Sequence, residues 1–111
     1  MEKAYELVVA IVTRGTGEKA IAAAVEAGAK GSTILSGRGS GSFDVKKVFG
    51  LAMEHEKDVL LVAAPVEISD KVADVIGEVV DVEKPGNGIV LVLPIKRGLG
   101  LSKLIPALQQ G

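Results

Sequence analysis

The stretch "AYELVVAIVT", residues Ala4 to Thr13, decides the fold of this chain. Its β-branched and aliphatic residues predict a strand, because the run is too short for a helix. Successive side chains of a strand point to opposite faces of a sheet, and here both faces are apolar. One face carries Leu7, Val9 and Ile11, and the other carries Val8, Ala10 and Val12. A sheet built on this strand therefore needs cover on both sides.

Helical and extended patterns alternate after this strand. Thr16 is a good N-cap for a helix that runs to about Ala27 and is ended by Gly28. "STILS", residues 32–36, predicts a second strand. After a glycine loop, "VFGLAME" and "VLLVAAP" are typical of extended segments, and the charged turn "HEKD", residues 55–58, joins them.

A second helix and a last strand complete the pattern. Ser69 is placed to cap the helix, and an apolar stripe gives the helix a buried side. The stripe consists of Val72, Val75, Ile76, Val79 and Val80. "VEKPGNG" breaks this helix, and "IVLVLP" predicts a strand. The order β-α-β-β-α-β predicts a ferredoxin-like α+β fold, in which two helices cover one face of a four-stranded antiparallel sheet.

The second face of this sheet would stay uncovered in a single subunit. Such an apolar surface exceeds what soluble monomers usually expose, so we expect a homo-oligomer that buries it between copies of the chain. Clefts between subunits are then the natural ligand sites, because so small a subunit has little interior for a pocket.

Length and composition limit the class of protein. The 111 residues suit one domain, 1–111, and no apolar run approaches the ~20 residues that a membrane-spanning helix needs. Charges interrupt the N-terminal apolar segment and cysteine is absent, so we expect a cytoplasmic protein without membrane insertion, disulfides or thiolate metal sites. A net charge of -1, with one tyrosine, two phenylalanines and no tryptophan, argues against nucleic-acid binding.

The sequence offers little for catalysis. His55 is the only histidine, and a solvated side chain in the predicted turn is a better interpretation than a ligand or a general base. Neither a G-x-S-x-G elbow nor a metal-ligand spacing occurs. We therefore expect no catalytic residues, no metal site and no enzymatic activity.

Glycine loops with neighbouring bases are the remaining candidates for function. "GRGSGS", residues 37–42, misses G-x-G-x-x-G at its last position and precedes no helix, and no window fits a P-loop. "KPGNG", residues 84–88, opens into the last strand, and "KRGLG", residues 96–100, follows it. Glycine lets backbone N–H groups approach a small anion, and a nearby Lys or Arg supplies charge. The alternative is that glycine and lysine simply mark solvated loops.

Three stretches that span most of the chain resemble the PII family of nitrogen-regulatory signalling proteins, and its PII-like branch more than the nitrogen sensors proper. They are "GAKGSTILSGRGSG" (28–41), "ISDKVADVIGEVV" (68–80) and "EKPGNGIVLVLPIKRGLGL" (83–101). The resemblance implies a homotrimer that binds adenine nucleotides in clefts between subunits. It also implies a flexible recognition loop at 37–48, which changes conformation and binds a target enzyme, transporter or regulator. The C-terminal segment is then 94–111.

The resemblance assigns ligand-binding residues as well. It implies contacts from the base of the recognition loop, from a second, phosphate-facing glycine loop, from a threonine near the adenine, and from two C-terminal bases near the phosphates. In this order the residues are Gly37, Arg38 and Gly39, then Gly86 and Gly88, then Thr33, then Lys96 and Arg97.

Three sequence differences from the nitrogen sensors affect which ligand and which regulation we expect. Ile89 stands where they commonly carry a phosphate-contacting lysine, and the adjacent Lys96 and Arg97 replace two arginines one residue apart. The only tyrosine, Tyr5, lies in the first strand and not in the loop. We expect ADP, AMP or ATP as effector, or a small anion such as bicarbonate, with no tightly bound cofactor and no control by tyrosine modification.

Two alternative functions stay open. A ferredoxin-like trimer similar to the divalent-cation tolerance proteins would be a structural or metal-handling protein without nucleotide binding, and a carboxylate site would then hold the metal. A small enzyme similar to acylphosphatase is suggested only by Arg14 beside "GTG".

Overall fold

The computed structural model describes residues 4–39 and 55–101, which form one antiparallel sheet and two helices. In chain order the elements are β1 (Tyr5–Thr13), α1 (Gly17–Glu26), β2 (Ser32–Gly39), β3 (His55–Pro65), α2 (Val66–Val80) and β4 (Gly88–Pro94). The strands lie side by side in the order β2-β3-β1-β4, and every neighbouring pair is antiparallel. This arrangement confirms the ferredoxin-like α+β fold.

Both helices pack on the same face of the sheet. This face presents the even-numbered residues of β1 and β3, and most of the core comes from them and from the facing sides of the helices. The fully buried members are Val8, Ala10, Val12, Leu60, Val62 and Ala64 of the strands and Ala20, Ala24, Val72 and Ile76 of the helices. Each fully buried valine, leucine or isoleucine side chain contributes roughly 1.5–3 kcal/mol. The helix-covered face therefore carries the stability of the subunit.

Neither of the described helices lies on the other face of the sheet, and we call the central part of that face the open sheet face. It is formed by Leu7, Val9, Ile11, Thr33, Leu35, Val59, Leu61, Ala63, Ile89, Leu91 and Leu93, which the strand register places on one side. Leu35, Ile89, Leu91 and Leu93 are between 43% and 51% exposed. The structure thus shows the two-faced apolar pattern that β1 predicts.

The two strands around the first glycine loop are longer than predicted. β2 continues through Gly37 to Gly39, so the start of the predicted 37–48 loop is strand. "HEKD" is also strand and not a turn, because its residues pair with Ser36–Gly39 and continue the alternation of β3. The rest of the predicted loop and "VFGLAME" lie outside the described residues, as does the C-terminal segment beyond Leu101.

The start of α2 also differs from the prediction. The helix begins at Val66 directly after β3, and Pro65 is its N-cap, so Ser69 lies in the first turn and caps nothing. Ser69 is fully buried and donates a hydrogen bond to the Glu6 carboxylate. β3 leads straight into the helix because the Val66 N–H bonds to the Ala4 carbonyl, 3.1 Å away. The stripe is confirmed at Val72, Ile76 and Val80, which are buried, whereas Val79 is exposed.

α1 has the predicted position but a different N-terminal cap. Thr16 is the N-cap residue, yet its hydroxyl donates to the Thr13 carbonyl (2.6 Å) instead of accepting from the helix. The helix ends before Gly28, whose φ of +111° suits glycine. Within residues 4–39 and 55–101, neither helix has the length and apolar character to span a membrane.

Candidate functional site

The first group of predicted ligand residues lies at the end of an edge strand. Gly37, Arg38 and Gly39 are the last residues of β2 and pair with Lys57, Glu56 and His55 of β3. β2 has β3 on one side and no described strand on the other. The backbone of residues 37–39 is therefore held on one side by β3 and borders a sheet edge on the other.

The second glycine loop, Lys84–Gly88, lies between α2 and β4. Asn87 anchors it, because its side-chain amide donates to the carbonyls of Val80 (3.2 Å) and Asp81 (3.0 Å), and its own carbonyl accepts from the Thr13 N–H (3.3 Å). Gly86 is exposed with a φ of +88°. Its N–H donates to none of the described residues, so this amide is available to a ligand.

Gly88 has a structural reason to be glycine that is independent of any ligand. It pairs with Val12 at the start of β4, with a φ of +144°. A Cβ at this position would lie 2.5 Å from the carbonyl oxygen of Ile11, closer than any side chain tolerates. The close approach of β4 to β1 therefore requires glycine, and Gly88 shapes the loop in which Gly86 presents its amide.

One subunit does not bring the predicted residues together. Gly37 and Gly88 lie at the same end of the sheet but on β2 and β4, which are opposite edges separated by three strand spacings, about 14 Å. Lys96 and Arg97 follow the other end of β4, and a seven-residue strand spans about 20 Å. Thr33 lies on the edge strand β2, opposite Leu61 in the middle row of the open sheet face. No single place on one subunit therefore brings these residues together.

Three exposed cations lie close to β4. Lys96 and Arg97 are exposed after β4, and Lys84 is exposed inside the second glycine loop. Lys84 was not among the predicted site residues, although its place beside Gly86 gives the loop a positive charge where Ile89 supplies none. These exposed cations thus lie at the two ends of β4.

A cluster that the sequence did not predict surrounds the turn between β1 and α1. The Oδ2 atom of Asp58 accepts hydrogen bonds from the N–H groups of Gly15 (3.0 Å) and Gly17 (2.9 Å), and Arg14 forms an ion pair with Glu56. An acylphosphatase-like enzyme would need Arg14 and these amides for a substrate phosphate, but here carboxylates of the protein occupy them. The arrangement disfavours that alternative.

Two other features of the described residues bear on function. Over residues 4–39 and 55–101, no three His, Asp or Glu side chains gather to hold a metal ion, so the carboxylate site of the metal-handling alternative is not found there. A groove of about 410 Å³ runs between α1 and α2 on the helical side, and none of the predicted ligand residues borders it. Its lining consists of Ala23, Glu26, Ala27, Lys71, Val75, Glu78 and Val79.

Comparison with known proteins identifies a family and a related fold. A family model described as nitrogen regulatory protein P-II matches residues 5–99, which include all four strands and both helices. The crystal structure of Arabidopsis thaliana PII bound to citrate is similar, with a TM-score of 0.70 and 20% sequence identity over 93% of this chain and 88% of that chain. A search of curated protein sequences finds no match.

Proposed function

The chain belongs to the family of nitrogen regulatory protein P-II, and from this premise we propose that it is a cytoplasmic, trimeric regulator that binds an adenine nucleotide or a small anion between its subunits. Members of the family are regulatory proteins that sense small molecules. The proposal adds to this the location of the ligand, the class of ligand and the assembly.

The separation of the predicted residues on one subunit is the observation that carries the proposal. The glycine ends of β2 and β4 lie at one end of the sheet, and Lys96 and Arg97 lie at the other. If the open sheet faces pack against one another, the basic end of one subunit can meet the glycine end of its neighbour. Burial of the open sheet face and completion of the site are then a single event.

The chemistry of these groups suits an anionic ligand. The Gly86 amide, which has no acceptor among the described residues, can donate to a phosphate or carboxylate oxygen, and Lys84, Lys96 and Arg97 supply positive charge. Thr33 is the polar residue of the open sheet face, and we assign it to the base of a nucleotide because the resemblance to the family puts a threonine there. The citrate held by Arabidopsis PII supports the small-anion form of the proposal.

The regulatory output is assigned to the connection between β2 and β3. Its two ends, Gly39 and His55, are paired at the end of the sheet beside the glycine residues of the site. A ligand at these glycines changes the conformation of the connection, and a target enzyme, transporter or regulator binds one of the conformations.

Calorimetric titration with ATP, ADP, AMP and bicarbonate tests this function. For whichever compound binds, we expect Arg97→Ala to lower the affinity about tenfold, because one charge-assisted hydrogen bond is lost. We expect the same loss of affinity for Arg38→Ala. The trimer should survive in both variants. Lys71→Ala, which removes an exposed cation from α2, is the matched control and should bind as the wild type does. Absence of heat and of a thermal shift for all four compounds would refute the ligand part of the proposal.

A further inference from the structure

Asp58 connects the start of β3 to the second glycine loop, and we propose that it is a positioning residue that couples these two segments. A role of this coupling in ligand sensing rests on the proposed function. The coupling itself is a property of the unliganded protein. No part of the sequence pattern assigned a function to Asp58.

The first half of the connection is the pair of hydrogen bonds at Asp58. Its carboxylate is partly buried on the helix-covered side of β3, and one oxygen binds the amides of both Gly15 and Gly17. A Cβ at Gly17 would lie 2.8 Å from this oxygen, so the close approach requires glycine. Gly15 has a φ of +93°, which also favours glycine. The turn between β1 and α1 is therefore built around this carboxylate.

The second half runs from the turn to the glycine loop. Thr16 donates to the Thr13 carbonyl from its N–H (3.0 Å) and from its hydroxyl, which ties the turn to the end of β1. Thr13 in turn donates its N–H to the Asn87 carbonyl at 3.3 Å. Asn87 lies between the two loop glycines, so hydrogen bonds, together with the peptide bonds from Gly15 and Gly17 to Thr16, connect Asp58 to the loop.

The ion pair between Arg14 and Glu56 fastens the same turn to β3 two residues before Asp58. The start of β3 therefore holds the turn at two points, and the turn holds the loop. In the proposed coupling, a shift at the start of β3 moves Asn87 and with it the Gly86 amide. By linkage, a ligand that fixes Gly86 favours one position of β3, where the connection to β2 is attached.

Hydrogen exchange of the unliganded protein tests the coupling. The Asn87 N–H is bonded to the Lys84 carbonyl at 3.2 Å and reports on the loop, and the Ile76 amide in α2 reports on the whole fold. We expect Asp58→Ala to raise the exchange rate at Asn87 about tenfold, because hydrogen bonds to a charged acceptor are lost, and to leave Ile76 unchanged. Asp74→Ala removes an exposed acid from α2 and should change neither rate.

The conservative variant separates positioning from general stability. Asp58→Asn keeps an acceptor oxygen, so we expect its Asn87 rate to lie between those of the wild type and Asp58→Ala. Faster exchange at Gly15 and Gly17 alone would overturn the proposal, because Asp58 would then only cap α1. An equal rise at Asn87 and Ile76 in both variants would also overturn it, since the effect would be global.

Nucleotide titration distinguishes failure of this proposal from failure of the proposed function. If the wild type binds none of the four compounds, the ligand part of the proposed function is refuted, while the exchange rates still decide the coupling. If it binds one, Asp58→Asn should weaken that ligand about threefold to tenfold, and unchanged affinity together with unchanged Asn87 exchange would contradict the coupling.

Discussion

Replacing Leu91 by glutamate is expected to convert the assembled protein into monomers. Leu91 lies on β4 in the middle row of the open sheet face, opposite Val9, and is 44% exposed in the single subunit. A charge there meets water in the monomer and costs the fold little, but in an assembly it is buried without a partner. We expect association to weaken at least ~100-fold, from a penalty of about 3 kcal/mol or more.

Sedimentation velocity with a matched surface variant tests this expectation. Val25→Glu makes the same kind of change on α1, where the valine is 54% exposed on the helical side. It should leave the assembly intact. A Leu91→Glu protein that sediments as the wild type does would show that the open sheet face is not the interface, and a monomeric wild type would refute the assembly itself.

The Gly88→Ala substitution should produce the largest loss of stability among single glycine replacements at the loops. The new Cβ would lie 2.5 Å from the Ile11 carbonyl oxygen, and the residue would have to keep a φ of +144°. Either β4 moves away from β1 or the strain is retained, and we expect a loss of roughly 3 kcal/mol. For a domain of this size the melting temperature should fall by about 10 °C.

Gly100→Ala is the control that isolates the backbone term. Gly100 also has a positive φ, +92°, but a Cβ there would meet nothing within 4 Å. Its expected loss is about 1 kcal/mol. Equal melting temperatures for the two variants would contradict the steric explanation of Gly88. If Gly88→Ala were as stable as the wild type, the strand approach would not be what selects glycine.

The fold could be predicted because its determinants are local in the sequence. Alternation in β1 fixes two apolar faces, and the stripe on α2 fixes the side of the helix that faces the sheet. The prediction was wrong where tertiary contacts decide. "HEKD" has the composition of a turn, but its pairing with β2 makes it part of a strand. Ser69 is a residue type that often caps helices, but here it lies inside the first turn of α2 and donates a hydrogen bond to Glu6.

The candidate site was harder to predict because its parts are distant on one subunit. Resemblance, not spacing, selected Thr33, Arg38 and Arg97, and these positions remain predictions. Asp58 was missed because its two partners, Gly15 and Gly17, are more than forty positions earlier in the chain. The sequence did contain one indication. If the alternation of β3 is extended backwards from Leu60, Asp58 and Glu56 lie on the same side as Leu60, which is the helix-covered side.

The open sheet face has a consequence for which chains can assemble with one another. Among the eleven described residues that define it, Thr33 has the one hydroxyl group, the others are aliphatic, and none is charged. Charge pairs and unpaired polar groups are the usual means by which an interface rejects a wrong partner. Such a surface discriminates between partners by shape and little else, so in the proposed assembly a duplicated and diverged copy of this chain would still mix with the original. Independence of two such copies would have to come from separate expression or from new charges on this face.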